Sequence, residues 1–405
     1  MSARSRFTAL FAADILSALG NKVSLVALPW LVLVSTGSPV KMGLVAVAHL
    51  VPYLVTGIFA TPLADRFGLR VASVVADLGS AVAMAAVAAV PRLGYLPLLG
   101  LVAVSGGCRG IGDRAKHVLL GPLAKAAGLG MKRVTAAYAG FTRGSSLVGA
   151  PAGGLLILWL GAPGAIGVDA VSFAVCAVIV AAGVRAPREL ERTEDREPYL
   201  AALRGGARYL RADRLLTGML ILLSFANVFG QASWAVFVPV WVSTVLGSPA
   251  ALGTVFGAFA LGGVLGSIAF TALAPKLPQY PTFLVGIAIC GAPSLLVLLT
   301  HQLAAVLVVM VLVGVASAVL NPIFGALQYE RVPLELQTRV FGLVSTIAYA
   351  GSPVGAILGG WALAGLGLDG AILGAALVSL AVTALPLINY RRGAPAAARE
   401  GSATA

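Results

Sequence analysis

Ionisable side chains inside long apolar stretches are the groups in this sequence best placed to carry chemistry. All of them lie in the first half of the chain. They are Asp14, Lys22, Asp77, Arg109, Asp113, Arg143 and Asp169. A charge among apolar residues is costly unless it is paired or reaches water, so such groups are typical of sites that bind protons or polar ligands.

Metal and covalent chemistry find no support in the residue pattern. The three histidines and three cysteines are scattered and lack metal-ligand or disulfide spacing. They are His49, His117, His301, Cys108, Cys176 and Cys290. A Gly-Lys-Ser/Thr phosphate loop, the signature of direct ATP use, does not occur in the sequence. We therefore predict no metal, no cofactor and no enzymatic activity.

The elements that must position these charges are membrane-spanning helices. Hydrophobic residues make up 59% of the chain and charged residues 11%, against roughly 45–50% and about 25% in soluble domains. Runs of about 20 apolar residues suffice to cross a bilayer. The sequence predicts an all-α membrane protein with twelve such spans, at 7–33, 43–63, 71–90, 95–116, 134–160, 164–184, 215–244, 251–274, 281–300, 303–327, 338–366 and 370–390.

The distribution of basic residues predicts the orientation. The net charge is +13, but most of the 28 lysines and arginines fall in segments on one side of the predicted membrane. Lys116 is counted among them, whereas Lys41 and Arg92 lie on the opposite side. By the positive-inside rule, both termini are expected in the cytoplasm of a cell-membrane protein. The basic loops thus favour contact with membrane lipids rather than nucleic acid.

An internal repeat divides the chain into two halves. Gly-Ser-Pro occurs at 37–39 and at 247–249, and the same offset places several residues onto similar ones. Pro29, Gly43 and Arg66, for example, match Pro239, Gly253 and Lys276. Duplicated halves are typical of transporters with a substrate site between them, near the middle of the membrane. We predict two pseudo-symmetric six-helix bundles, a monomer being sufficient. The divisions are 1–184, a cytoplasmic linker at 185–214, 215–392, and a disordered tail at 393–405.

The loop after the second span resembles the signature of the major facilitator superfamily. It reads Leu-Ala-Asp-Arg-Phe-Gly-Leu-Arg over 63–70, with Thr61 and Leu69 departing from the usual pattern. The resemblance implies the major facilitator fold. It also implies a cytoplasmic latch, in which the loop cations pair with a fourth-span acid and the loop acid caps the eleventh span. The latch residues would be Asp65, Arg66, Gly68, Arg70 and Asp113. An ordinary charged loop is the alternative.

The fifth span resembles the proline-glycine motif of proton-coupled exporters in the same superfamily. It contains Gly149, Pro151, Gly153 and Gly154, with the proline one position late. Close helix packing alone is the alternative interpretation. The stretches 26–39 and 203–210 are similar to the branch that includes the enterobactin exporter and macrolide efflux proteins. That branch often has an aspartate where this chain has Asn21.

The depths of the charged residues suggest two sites. Asp14, Asp77 and Arg143 lie at one level near the cytoplasmic side, so Asp14 or Asp77 is predicted to exchange protons while Arg143 or Arg109 holds the bare carboxylate. A permanent ion pair is the alternative. Asp169 is expected near a helix end. A substrate cavity between the halves is expected to be lined by Asn21, Lys22, Arg109, Asn227, Gln231 and Trp234.

These features together predict a proton-coupled exporter of a small amphipathic compound, such as a drug, siderophore or secondary metabolite. Its partners would be that substrate, protons and membrane lipids. Lys22 and Arg109 would favour an anionic or carbonyl-rich substrate unless neighbouring acids neutralise them. A nutrient importer or facilitator of the same fold is one alternative. A lipid-handling or sensing membrane protein without solute turnover is the other.

Overall fold

A computed structural model describes residues 2–89, 94–184 and 207–400. For 58–67, 143, 385–400 and a few further positions, it describes the helix but not the side chain. Most of the predicted linker, 185–206, lies outside the described residues, as does the end of the predicted tail, 401–405.

The described chain is almost entirely helical and contains ten apolar stretches long enough to cross a membrane. Two of them are of 44 and 45 residues. Each bends at a glycine with positive φ, Gly161 (72°) or Gly367 (70°), and thus crosses twice. The twelve crossings are α1 Ala3–Thr36, α2 Pro39–Phe67, α3 Leu69–Ala89, α4 Tyr95–Ala126, α5 131–160, α6 162–183, α7 Arg214–Leu246, α8 Pro249–Leu273, α9 Gln279–Thr300, α10 Leu303–Arg331, α11 334–366 and α12 368–400.

The predicted fold class is confirmed, and most span boundaries agree within a few residues. The fourth span is the main exception, because α4 continues to Ala126 instead of ending at residue 116. Lys116 therefore lies within α4 and is buried against Asp77, rather than in a solvent-exposed loop after the helix. The last helix runs to Glu400, into the segment for which the sequence predicts disorder.

The two Gly-Ser-Pro copies form the same turn in both halves. Gly37 ends α1 with φ 60°, and its N–H donates to the Leu33 carbonyl at 2.8 Å. Gly247 ends α7 with φ 64°. Glycine adopts this left-handed conformation without steric cost, and the proline two residues later starts the next helix. The sequence repeat is thus a repeat of helix-stop and helix-start geometry.

Glycines bring the two halves together near one end of the bundle. A β-carbon at Gly154 of α5 would lie 2.7 Å from the Pro249 carbonyl oxygen at the start of α8. A β-carbon at Gly360 of α11 would lie 2.8 Å from the Pro39 carbonyl oxygen at the start of α2. Only glycine permits such close backbone approach. We call this the outer end, and the opposite end, which bears both termini, the inner end.

The hydrophobic cores show that the halves separate toward the inner end. One buried cluster at the outer end contains residues of both halves, including Trp30, Phe173, Trp241 and Phe256. At the inner end each half has its own core, one around Leu119 and the other around Phe324. The large side chains of Phe141 and Tyr349 are exposed on inner segments of α5 and α11. The two halves are therefore packed together at the outer end and apart at the inner end.

Candidate functional site

A cavity of about 320 Å³ lies between the two halves, near the middle of the bundle. Its lining includes five residues for which the sequence analysis predicts this position: Asn21, Lys22, Arg109, Gln231 and Trp234. Asn21 and Gln231 are repeat equivalents on α1 and α7. They reach the same cavity because the parallel repeat turns the corresponding helix faces toward each other.

Apolar side chains form most of the cavity wall. Leu28, Met42, Met84 and Phe173 line it from four helices of the N-terminal half. Trp234 lines it from the C-terminal half, with its ring centroid 4.8 Å from that of Phe256 and 4.7 Å from that of Phe259. Trp234 lies in a π-helical turn, Ser233–Phe237, a local widening often found at functional positions. The wall suits an apolar molecule with aromatic surface.

Arg109 lies at the centre of the polar contacts. Its guanidinium donates to the Asn21 side-chain carbonyl and, at 3.3 Å, to Asp113 Oδ2. The same group lies over the rings of Tyr53 and Phe173, at 5.6 and 5.9 Å from their centroids. These contacts hold a cation in the cavity wall while neutralising part of its charge.

Lys22 is the cavity cation without a partner. Among the described residues, no hydrogen bond or ion pair reaches its ammonium group. Gly149 and Gly153 of the predicted exporter motif set its position. A β-carbon at Gly149 would lie 2.7 Å from Lys22 Cβ, and one at Gly153 would lie 3.0 Å from Val23 Cα. Close packing of α5 on α1 therefore holds Lys22 at the cavity.

Asp169 is the carboxylate of the cavity. The expectation of a helix-end position was wrong, because Asp169 lies inside α6 and its side chain is buried at the cavity wall. Ser24 Oγ donates to Oδ2. Ser172 Oγ lies 2.8 Å from the Asp169 backbone carbonyl oxygen and 3.3 Å from Oδ1, so its one proton is shared between these two acceptors. These hydroxyls satisfy a carboxylate in an otherwise apolar wall.

A second polar cluster lies closer to the inner end. Lys116 Nζ is 3.0 Å from Asp77 Oδ1, and both side chains are almost completely buried. Cys176 donates to Asp77 Oδ2 at 3.2 Å. Asp14 lies nearby beside Tyr138 and within electrostatic reach of Lys116. The structure therefore brings Asp14 and Asp77 into one region, as predicted, but the cation that binds Asp77 is Lys116. The Arg143 side chain lies outside the described part.

Comparison with known proteins identifies the family. The model of the major facilitator superfamily matches residues 10–249 and 220–405. The chain belongs to the major facilitator superfamily. It is 30% identical over 386 residues to the protein named multidrug efflux pump Tap of Mycobacterium tuberculosis, covering 92% of this chain and 90% of the relative. It is 28% identical to the Mycolicibacterium fortuitum protein of that name, covering 92% of both.

Solved structures of the superfamily share the fold. The nucleoside transporter NupG superposes with a TM-score of 0.79 at 10% identity, covering 93% of this chain and 97% of that one. A bacterial homologue of the human lysosomal transporter Spinster, described as inward-facing and unoccupied, gives a TM-score of 0.72 at 14% identity, with 95% coverage of both. The protein is a multi-pass membrane transporter of small molecules.

Of the predicted latch contacts, the structure describes only the pair between Arg70 and Asp113, and it does not form. Arg70 donates to the backbone carbonyl of Ala181 on α6, and Asp113 binds Arg109 and Lys116 of its own helix. The predicted Arg70–Asp113 pair is thus absent from the described contacts, since Arg109 and Lys116, each about one turn away on α4, bind Asp113 instead. Gly68 makes the loop turn with φ 83°. The side chains of Asp65 and Arg66 lie outside the described part.

Asn227, which was predicted to line the cavity, lies outside its lining. It lies on α7, but its Nδ2 donates to the Ala348 carbonyl of α11 at 2.9 Å and it does not line the cavity. The interaction joins two helices of the C-terminal half. Asn227 is one turn from Gln231, on a part of α7 that packs against α11.

Several cavity residues were missed by sequence reasoning. They are His49, Tyr53, Met42, Met84, Phe173 and Asp169. The apolar and aromatic ones look like ordinary span residues, because which helix face meets the cavity is not encoded in local composition. For Asp169 one signal existed: Ser172 follows at i+3, a spacing that places a hydroxyl beside the carboxylate.

Proposed function

We propose that the protein is a proton-coupled exporter of small amphipathic compounds that works by alternating access. The observation that carries this proposal is the cavity between the halves, which has apolar walls, three charged side chains and an opening toward the inner end. Relatives at about 30% identity named multidrug efflux pumps support the direction of transport. The similarity of 26–39 and 203–210 to the enterobactin and macrolide branch remains a prediction.

The cavity chemistry supports a particular kind of substrate. Trp234 and the apolar wall would bury a ring system, and the unpartnered Lys22 ammonium would bind a carboxylate or carbonyl oxygen. Arg109 contributes less to this preference, because Asp113 already binds it. We propose an amphipathic substrate with an aromatic or alicyclic body and an anionic or carbonyl group.

Replacement of Lys22 by methionine tests this preference. A hydrogen bond to a charged group contributes about 1.5–3 kcal/mol, so transport of a carboxylate substrate should fall about tenfold or more. Rhodamine 6G, a cationic ester, and rhodamine 19, the same ring system with a free carboxylate, form a matched pair. In Lys22→Met, transport of rhodamine 19 should fall relative to rhodamine 6G. Lys41→Met, at the outer end, serves as the control, and an equal change for both dyes would contradict the substrate class.

Proton coupling is tested in proteoliposomes with and without an imposed pH gradient. Vesicles with an acidic lumen should accumulate rhodamine 6G above its external concentration through molecules whose inner end faces outward. Dissipation of the gradient with nigericin should stop that accumulation. Equilibration that is insensitive to the gradient would indicate a facilitator. Absence of any protein-dependent movement of either rhodamine would reject transport of this substrate class.

A further inference from the structure

We infer that Asp113 binds and releases the transported proton, and that Arg109 communicates its charge state to the substrate cavity. This inference deepens the proposed function and depends on it. Asp113 lies in the inner half of α4, a position for which the sequence analysis predicts only a latch contact.

The geometry places Asp113 between two cations of its own helix. Its Oδ2 is 3.3 Å from Arg109 Nη2, and its Oδ1 is 3.8 Å from Lys116 Nζ. The three residues share one face of α4, at spacings of four and three. Arg109 lines the cavity, and Asp113 lies one turn closer to the inner opening. Its side chain is 31% exposed, so water from the inner side reaches it.

The other described acids of this half lack that combination. Asp77 is 3% exposed and bonded to Lys116 and Cys176, so it has no route to water in this conformation. Asp169 lines the cavity and accepts a hydrogen bond from Ser24, but among the described contacts it forms no ion pair with a cavity cation. Asp14 is half-buried beside Tyr138 and has no ion pair with a cavity cation among the described contacts. Asp113 is water-accessible and also paired with a cation that lines the cavity.

Protonation of Asp113 would act on the cavity through Arg109. Lys116 would remain paired with Asp77 at 3.0 Å. Loss of the Asp113 charge would therefore mainly remove an ion-pair partner from Arg109. Arg109 would retain Asn21, and Asp169 in the cavity wall is a further carboxylate within its electrostatic reach. A shift of the guanidinium from Asp113 toward Asp169 would change both the charge and the shape of the site. Release of the proton to the inner side would restore the arrangement seen here.

Other charged and titratable groups also face Asp113, from every described helix packed around it. They come from α1, α2, α3 and α5 as well as from α4 itself. They are Asp14, His49, Tyr53, Asp77, Tyr138, Arg109 and Lys116. The group responsible for any pH dependence of transport therefore has to be identified by substituting these residues one at a time.

The test compares Asp113→Asn with wild type, using rhodamine 6G and two readouts. Gradient-driven accumulation should fall at least tenfold relative to exchange of the dye without a gradient, because the amide of Asp113→Asn can neither bind nor release a proton. The purified wild type should release protons when the dye binds, as reported by pyranine in weak buffer, and Asp113→Asn should release none. Asp369→Asn, at an exposed outer position, is the matched control.

The outcomes separate this inference from the proposed function. A wild type that does not accumulate dye in response to the gradient rejects proton-coupled export itself. If wild type and Asp113→Asn accumulate dye equally, or both release protons, only the Asp113 assignment fails. Loss of coupling in Asp14→Asn alone would assign the proton to Asp14. Should Asp113→Asn fail to fold, Asp113→Glu is used: its coupling should persist with a displaced pH profile, and an unchanged profile would overturn the inference.

Discussion

Replacement of Gly154 by alanine is expected to shift the transporter away from the conformation seen here, which is closed at the outer end and open at the inner end. The added β-carbon would lie 2.7 Å from the Pro249 carbonyl oxygen and 3.1 Å from Gly253 Cα, where α5 and α8 meet at the outer end. Overpacking of this kind costs about 1–3 kcal/mol, and here the cost applies only while the outer ends are closed. The population ratio should therefore change by about 5- to 150-fold toward outward-open states.

Spin labels at Thr142 of α5 and Thr271 of α8, both exposed toward the inner end, would measure this shift as a shorter distance. The three native cysteines are first replaced by alanine. Gly144→Ala in the same helix is the matched control, because nothing lies within 4 Å of a β-carbon there. If Gly154→Ala and Gly144→Ala gave the same distance distribution, the outer glycine contact would not control the conformation.

Replacement of Lys116 by methionine should destabilise the protein by about 3–5 kcal/mol, the usual cost of leaving one partner of a buried ion pair alone. Lys116 is 1% exposed and lies 3.0 Å from Asp77, in a region with no route to bulk water in this conformation. The uncompensated carboxylate must either stay charged in an apolar surround or take up a proton. Thermal unfolding of the purified protein in detergent micelles would report the loss.

The double variant Asp77→Asn/Lys116→Met should recover most of that stability, because both charges are removed together. Arg331→Met provides a contrasting control. Arg331 lies 2.7 Å from Asp213 but is 45% exposed, and exposed pairs contribute about 0–1 kcal/mol. Equal destabilisation by Lys116→Met and Arg331→Met would show that burial does not determine how much the Asp77–Lys116 pair contributes to stability.

The repeat and the helix boundaries could be predicted because they depend on local sequence. Hydrophobicity summed over some 20 residues determines whether a segment enters the membrane, largely irrespective of its neighbours. Gly37 and Gly247 end helices through their own backbone freedom. The facing of Asn21 and Gln231 also followed from the sequence, because a parallel repeat turns equivalent helix faces toward a common axis.

The same local rule explains where the boundaries failed. A lysine at 116 indicates the end of an apolar span only if it reaches water. Asp77, 39 positions away on another helix, pairs with it instead and allows α4 to continue to Ala126. Asp169 was assigned to a helix end from its shallow depth in the predicted span. Its hydroxyl partner Ser24 lies on α1, far away in sequence, and could not be foreseen.

The sequence by itself determined a twelve-helix membrane protein with duplicated halves, a family-typical loop, and the identity of five cavity residues. Only the tertiary structure decided which charges pair. In the structure Lys116 forms an ion pair with Asp77, and Arg109 binds Asp113 and Asn21. Lys22 has no partner among the described residues. The physical reason is that a charged side chain in a span is often stabilised by groups on other helices, as Lys116 is by Asp77 and Arg109 is by Asn21. Those partners depend on the rotation and depth of each helix, which hydrophobicity leaves undetermined.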